Sequence, residues 1–543
     1  MPLGPRPDAW DGARMPDAVT GTWVPDPERV AATNVARLMR RHGIAGLAEL
    51  RRRSVEDTSW YWDAVVDDLG IPFSVPYERV VDERAGAPWA RWFAGGQVNV
   101  AHACVDRWRD DPQTADCLAV VAESEDGTVR TLTFGELGVE VDALARALAG
   151  DGFGPGDAIG VFMPMIPEAV VAAYAIASIG AVWIPLFSGL APDAIAARLV
   201  DSDARAVICA DGTWRRGRRK ALKPVLDDAL SHAPAVRRVV VADRLGLDAP
   251  LCAGRDAVWD DYTAEEPSRC GAAATGAEDV LMLAYRPGTT ARPAAAVHVH
   301  GGFLVKVASE AAYQTDLRAG DCALWITDMG SIMGAWLMVG AHANGATMVL
   351  YEGDPDHPQP DRLWALVARH RITMLGASPT LVRALRAAGD QWTDGHDLSS
   401  LRVLGATGET WDAQAWEWLM RATGRRAPII TFASAIEVGT CLLSPYPVEP
   451  ISPCSLGGIS LGMDVDVLDA AGAPVRGTIG ELVCRRPWPA MTRGLWRDPN
   501  RYRQTYWSTY PGVWRQGERA KIDADGQWSL YGRSDRAISR EAA

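Results

Sequence analysis

Tyr285-Arg-Pro-Gly-Thr-Thr-Ala-Arg-Pro-Ala-Ala-Ala-Val-His298 joins two strand-like runs. Before it stands Asp279-Val-Leu-Met-Leu-Ala284, an apolar run that reads as a buried strand. Gly288, Thr289 and Thr290 then make a turn whose backbone N–H groups and hydroxyls can face anionic oxygens, as a phosphate cradle does. Alone, a Gly-Thr-Thr turn between strands is only a turn. Its surroundings give it meaning.

The chain has 543 residues, 48% hydrophobic and 23% charged, the composition of a soluble globular enzyme of several packed subdomains. A net charge of −13 argues against nucleic-acid binding. Nine scattered Cys without a C-x-x-C pair predict reduced thiols, with no disulfide frame and no metal site. The stretch Met1 to Arg14 is rich in Pro and charge and does not read as a signal peptide. No apolar run reaches membrane-spanning length, so a cytoplasmic protein without a membrane partner is expected.

Residues 1–97 read as a helical N-terminal extension. Ala31 to Arg53 has helical periodicity, and Ser54-Val-Glu-Asp57 before Trp60 predicts a helix start. From Val98 a strand–helix rhythm begins: Asp157 to Phe162, a helix from Pro167 to Ile179, then Ala181 to Leu186, Ala204 to Ala210 and Val236 to Ala242. It resumes at Ala323 to Ile326, Gly345 to Tyr351, Ile372 to Leu375, Leu401 to Leu404 and Ile429 to Phe432. Alternating elements of this kind predict mainly parallel sheets covered by helices, two of them within 98–456. From 457 to 535 short strands and turns predict a small antiparallel, barrel-like subdomain.

Leu401-Arg-Val-Leu-Gly-Ala-Thr-Gly-Glu-Thr410 is a strand ending in a glycine-flanked carboxylate. Ligands of α/β sheets bind beyond strand C-termini, so Glu409 is a candidate contact, with a helix-capping Glu as the lesser alternative. Arg215-Arg-Gly-Arg-Arg-Lys220 is the densest basic run in an acidic protein. It reads either as a solvated face or as a phosphate-binding one.

Together these stretches resemble the adenylate-forming superfamily, in its acetyl- and acetoacetyl-CoA synthetase branch, from about residue 30 onward. The opening stretch is similar to that family's phosphate loop, roughly T-S-G-T-T-G-x-P-K-G. Its core is altered: Gly288, Thr289, Thr290 and Arg292 keep the frame, but Ala291, Ala294 and Ala295 replace Gly, Lys and Gly. Only four Lys occur in the chain, a bias that would turn Lys into Arg but does not account for Ala294.

The resemblance implies an AMP site of Gly408, Glu409 and Thr410 at the adenine, with Thr431, Phe432 and Ala433 beside it. Glu518, in Trp514-Arg-Gln-Gly-Glu518, and Arg533, in Tyr531-Gly-Arg-Ser-Asp535, would hold the ribose. Asp535 would be the hinge. Glu437 would stand on the magnesium side, with Ile436 replacing an α-phosphate Thr. Met329, Ser331, Ile332 and Met333 would line the acyl pocket. Ser434 replaces a bulky Trp and would open that pocket to a larger acid. Arg215 and Arg218 would hold the 3′-phosphate of CoA. The chain ends at Ala543, just past the hinge, so 536–543 would be only the start of the family's C-terminal domain, with the rest absent.

The implied enzyme has two α/β subdomains and a small β subdomain. It uses CoA and the AMP moiety of an acyl-adenylate, and leaves Mg and ATP open. Groups for AMP and CoA are kept while groups for the triphosphate are lost. That pattern implies a ligase specialised for thioester formation and supplied with acyl-adenylate by a separate adenylating ligase. Three alternatives stay open: a complete ligase in which Arg292 serves for the lost Lys, a nucleotide-binding regulatory protein, and acyl transfer to a carrier-protein thiol.

Overall fold

The computed structural model describes residues 21–265, 268–286 and 293–534. Gly288, Thr289, Thr290 and Arg292 of the loop, Asp535 and residues 536–543 lie outside the described residues. The N-terminal extension carries helices Pro27–Ala32, Asn34–Arg41, Leu47–Glu56 and Thr58–Asp68. The expected long helix is interrupted at Thr33, whose hydroxyl caps the next helix by accepting from the Ala36 N–H at 3.2 Å. The start before Trp60 is capped by Asp57, whose carboxylate accepts from the Trp60 N–H at 2.9 Å. Ser54 belongs to the preceding helix and donates back to the Arg51 carbonyl. An antiparallel pair, Arg79–Asp82 with Arg91–Ala94, completes the extension and escaped the helical reading.

Two large sheets follow. The first has seven strands in the order Asp256–Val258, Arg238–Ala242, Ala206–Ala210, Ala158–Phe162, Val182–Leu186, Val280–Tyr285 and Ala295–Val299. All its pairings are parallel except the last, a hairpin. Every residue of Ala158–Phe162, Val182–Leu186 and Ala206–Ala210 is buried, as strands covered on both faces require. The second sheet has nine strands, with Ile429–Ala435, Val403–Thr407, Met374–Gly376, Cys322–Trp325, Thr347–Glu352 and Leu118–Ser124 parallel at its centre. Helix Pro167–Ser178 is wholly buried apart from Glu168 and packs on strands of both sheets.

The strand ends of the two sheets meet. Gly330, in the loop after Cys322–Trp325, lies so close to the loop after Val182–Leu186 that a Cβ on it would sit 2.1 Å from the Phe187 nitrogen. Only glycine permits that approach. The C-terminal edges of both sheets are thereby brought side by side, where α/β folds place ligands. The expected barrel is instead an open four-stranded meander. Val465–Leu468, Gly480–Cys484, Trp514–Ile522 and Trp528–Arg533 pair in sequence order, and the first and last strands are not paired to each other. Turns of the Asp523 to Gln527 kind favour neighbour pairing, and four strands are too few here to close on themselves.

Candidate functional site

Strands Val280–Tyr285 and Ala295–Val299 form the hairpin that carries the phosphate-loop stretch, with Tyr285 opposite Ala295. Below the loop, the Arg286 N–H donates to the Ala294 carbonyl at 3.3 Å. The Tyr285 hydroxyl donates to Asp201 at 2.8 Å and ties this edge to helix Pro192–Ser202. Ala294 is 5% exposed and belongs to an apolar cluster that includes Val438, Trp488 and Trp514. The place that carries Lys in the similar loops is thus a buried methyl group.

Charge enters from a residue that sequence reading passed over. Arg286 stands at the first Thr of the loop pattern. Its Nε donates to the Glu437 carboxylate and its Nη2 to the Tyr506 hydroxyl. Glu437, in the turn Ile436–Val438, is buried, while the Arg286 side chain is 24% exposed. Burial works against the Arg286 charge, but Glu437 and Tyr506 outweigh it and hold the guanidinium above its usual range. Burial first, then the Glu437 charge, lifts the Tyr506 phenol, so it remains a neutral hydroxyl. The Tyr506 ring lies flat on Trp514, centroids 4.0 Å apart and planes 8° from parallel. Nε2 of His298 meets the Ile436 carbonyl at 2.9 Å. A carbonyl only accepts, so that ring nitrogen carries its proton. Burial lowers His298 to about 4, and the neutral ring acts as a strap holding the Glu437 turn.

The resemblance placed magnesium beside Glu437. Here that carboxylate already holds a guanidinium, and the described residues contain no group of three or more His, Cys, Asp or Glu able to hold a metal ion. A cation at Glu437 would have to compete with that guanidinium for the carboxylate.

Gly408, Glu409 and Thr410 lie exposed beyond strand Val403–Thr407, at the turn that Gly408 makes with φ +97°. Glu409 accepts from the Thr380 N–H at 2.9 Å and from Arg383 at 2.5 Å, at the first turn of helix Pro379–Ala388. Burial opposes its charge, but Thr380 and Arg383 prevail and hold it below the usual carboxylate range. Thr431 is buried and its hydroxyl accepts from the Trp411 indole at 3.1 Å. The Phe432 side chain is 2% exposed and stacks on Trp325 in the core, and Ala433 is half-buried. Glu518 and Arg533 are directly opposite on neighbouring strands. Burial lifts the Glu518 carboxyl; Arg533 pulls it down, and Glu481 and Glu437 add to the rise.

Of the acyl-pocket candidates, Met329 and Met333 are core residues, 1% and 5% exposed. Ile332 is half-buried at the start of helix Ile332–Ala343, and Ser331 caps that helix by accepting from the Met333 N–H at 3.2 Å. The Ser434 hydroxyl shares a 2.8 Å hydrogen bond with that of Thr407. Trp325 was not foreseen. Its indole covers Gly376 and Gly405 on the two adjoining strands, where an added Cβ would lie 2.0 Å and 2.6 Å from ring atoms.

The basic run folds as a hairpin, Gly212–Arg215 with Arg218–Ala221. Arg216 and Gly217 both have positive φ, the demand of a tight two-residue hairpin turn. Arg215 and Arg218 therefore face each other across the strands. With Arg216, Lys220 and Asp354 they line a cavity of about 590 Å³. Arg215 reaches Asp354 at 2.9 Å, and Arg216 reaches Asp356 at 2.9 Å.

Two sheets that meet at their strand ends, with a hairpin and carboxylates there, form the kind of edge at which α/β enzymes bind ligands. The sequence profile described as AMP-binding enzyme matches residues 107–496, and that of the acetyl-coenzyme A synthetase N-terminus matches residues 47–104. The acetyl-coenzyme A synthetase of Chlorobaculum tepidum is 38% identical over 461 residues, 83% of this chain and 69% of that protein. That of Streptomyces avermitilis is 40% identical over 453 residues, 82% of this chain and 69% of its own length. The acetoacetyl-CoA synthetase from Streptomyces lividans superposes with a TM-score of 0.89 at 30% identity, over 94% of this chain and 80% of that one. This superposition lends no support to an absent C-terminal domain. The chain belongs to the AMP-binding enzyme family, among its acetyl-CoA synthetase-like members. No helix among the described residues is long and apolar enough to cross a membrane.

Proposed function

We propose that this protein is an acyl-CoA synthetase devoted to the second half of the usual reaction. It takes a bulky acyl-adenylate and CoA to acyl-CoA and AMP, with ATP-dependent adenylation impaired or lost. A separate adenylating ligase would supply the acyl-adenylate. The observation that carries this reading is Ala294, an apolar buried residue at the foot of the phosphate loop. Adenylation places negative charge on a departing pyrophosphate, so donors must already face it. Losing one such donor costs roughly 10²–10³ in rate. Thioester formation expels AMP instead. The groups proposed for AMP support this reading by their positions: Glu409 lies beyond a strand end, and Glu518 is opposite Arg533. Arg215 and Arg218 would take the 3′-phosphate of CoA, and Ser434 would widen the acyl pocket. The combination resembles the non-adenylating diterpenoid-acid ligase of platensimycin and platencin biosynthesis.

The names of the relatives favour a second reading, a complete ATP-dependent ligase in which Arg292 serves in place of the lost Lys. The two are separated by supplying acyl-AMP with CoA in one assay, and acid, ATP and labelled pyrophosphate in another. Acyl-CoA from the first without exchange of label into ATP in the second is the expected result. Robust exchange establishes the complete ligase. Tight binding of a stable acyl-AMP mimic with no thioester in either assay establishes a regulatory protein.

A further inference from the structure

We propose that Arg286 is a built-in replacement for the divalent cation at this site, so that the pocket binds a nucleoside monophosphate without metal. The inference rests on the nucleotide-site reading above and adds how the phosphate charge is met.

The geometry comes from three parts of the fold. Arg286 directly follows strand Val280–Tyr285 of the seven-stranded sheet. Glu437 follows strand Ile429–Ala435 of the nine-stranded sheet. Tyr506 ends helix Pro499–Tyr506, which packs on the four-stranded sheet. All three meet at one guanidinium. Each partner is itself fixed: Tyr506 by its stack on Trp514, and the Glu437 turn by His298. The Arg286 ring contact with Tyr506, 5.8 Å from guanidinium carbon to ring centroid, adds a further restraint. Arg533 lies near enough to Arg286 for each charge to oppose the other. Two cations and two carboxylates, Glu437 and Glu518, thus share the neighbourhood.

A metal ion bound here would have to displace the guanidinium from Glu437 and carry its charge beside that of a permanently charged arginine. The guanidinium has five N–H donors and spends two of those contacts on Glu437 and Tyr506. The remaining donors suit a phosphate oxygen. Those donors serve the one phosphate of AMP or of an acyl-AMP. The guanidinium cannot chelate the adjacent phosphates of a triphosphate as a divalent ion does. Metal independence and selectivity for the monophosphate then have one cause.

The test is AMP binding by calorimetry in EDTA and in excess MgCl₂, together with Mn²⁺ paramagnetic resonance of the protein with AMP. For the wild type, affinities equal within about twofold and no AMP-dependent bound Mn²⁺ are expected. Arg286→Thr should bind AMP about tenfold more weakly in EDTA, the loss of one charge-assisted contact, and should recover in Mg²⁺. Wild-type binding that tightens tenfold with Mg²⁺, or a wild-type Mn²⁺ signal that appears with AMP, overturns the proposal. So does an Arg286→Thr variant that binds AMP in EDTA as tightly as the wild type. The wild-type Mn²⁺ measurement decides the matter even where the variant does not fold. Failure of AMP to bind in either buffer sinks the nucleotide-site reading itself, which distinguishes that failure from one of the metal inference alone.

Discussion

The basic cavity allows two substitutions of opposite sign. Arg218 faces Arg215 across the hairpin, and the Arg215 guanidinium already engages Asp354 at 2.9 Å. Asp354 also lies 3.7 Å from Arg216. A phosphate entering this cavity therefore gains from Arg218, gains less from Arg215, and is repelled by the Asp354 carboxylate. Replacing Arg218 by Ala removes one charge-assisted contact, about 1.5 kcal/mol at this exposed position, or roughly tenfold in Kd. Replacing Asp354 by Asn removes the competitor and frees the Arg215 guanidinium, while Arg216 stays with Asp356, so affinity should rise about threefold to tenfold by the same scale. Isothermal calorimetry with CoA and with 3′-dephospho-CoA reads both effects. The changes should appear with CoA and be nearly absent with the dephosphorylated ligand. They should shrink at high salt, because the cavity is open to screening ions. Equal changes for both ligands, or weaker CoA binding by Asp354→Asn, would refute the assignment of this hairpin to the 3′-phosphate.

Ser434→Trp should fill the space beside Thr407 and abolish binding of a bulky acyl-AMP mimic while leaving AMP affinity intact, checked by calorimetry with both ligands. Gly376→Ala should drive a methyl group into the Trp325 ring and destabilise the protein by about 1–3 kcal/mol, seen as a lower thermal midpoint. Glu518 is lifted above the ordinary carboxylate range, mainly by burial, so acidification protonates it early. AMP affinity should fall as pH is lowered if the ionised carboxylate accepts from the ribose, the fall beginning at higher pH than for an ordinary carboxylate, and Glu518→Gln should flatten that profile. The folding contribution has the other sign. A carboxyl whose folded pKa is raised is more favourable when protonated, so its share of stability grows as pH falls through that pKa.

The parallel sheets were legible because their strands are buried on both faces, and apolar runs such as Ala206–Ala210 need no alternation to be recognised. Boundaries moved where capping decided them, as at the helix expected from Ser54 and capped instead by Asp57. The pair Arg79–Asp82 and Arg91–Ala94 was missed because two short strands beside Trp-rich turns carry no long period. The open meander was taken for a barrel because closure depends on pairing between the first and last strands, which no local pattern encodes. Glu518 and Arg533 were named from their motifs, and the structure sets them opposite each other on neighbouring strands. Arg286 was quoted in sequence yet not singled out. Its signal was available as a cation standing where the loop pattern has a hydroxyl. The partner that gives it meaning lies 151 residues away, and only the fold brings Glu437 to it.

That distance explains why one substitution can change the chemistry of the loop while the fold persists. A metal ion in such a position is a removable tie between strand ends. A guanidinium is a permanent one, and here it joins the seven-stranded sheet, the nine-stranded sheet and the helix beside the small sheet. The pair is largely buried, with Glu437 5% and Arg286 24% exposed in their side chains. Removing one partner of such a pair leaves an uncompensated charge, whereas removing both together is often close to neutral. The two positions are therefore energetically coupled. A lone reversion of Arg286 to Thr leaves Glu437 buried without its cation until a metal arrives. If adenylation is lost as proposed, restoring it would require more than a Lys at position 294, because Glu437 would also have to be released from its guanidinium. On that reading the phosphate-loop hairpin and the paired carboxylate act as one unit, distant in the sequence and adjacent in the fold.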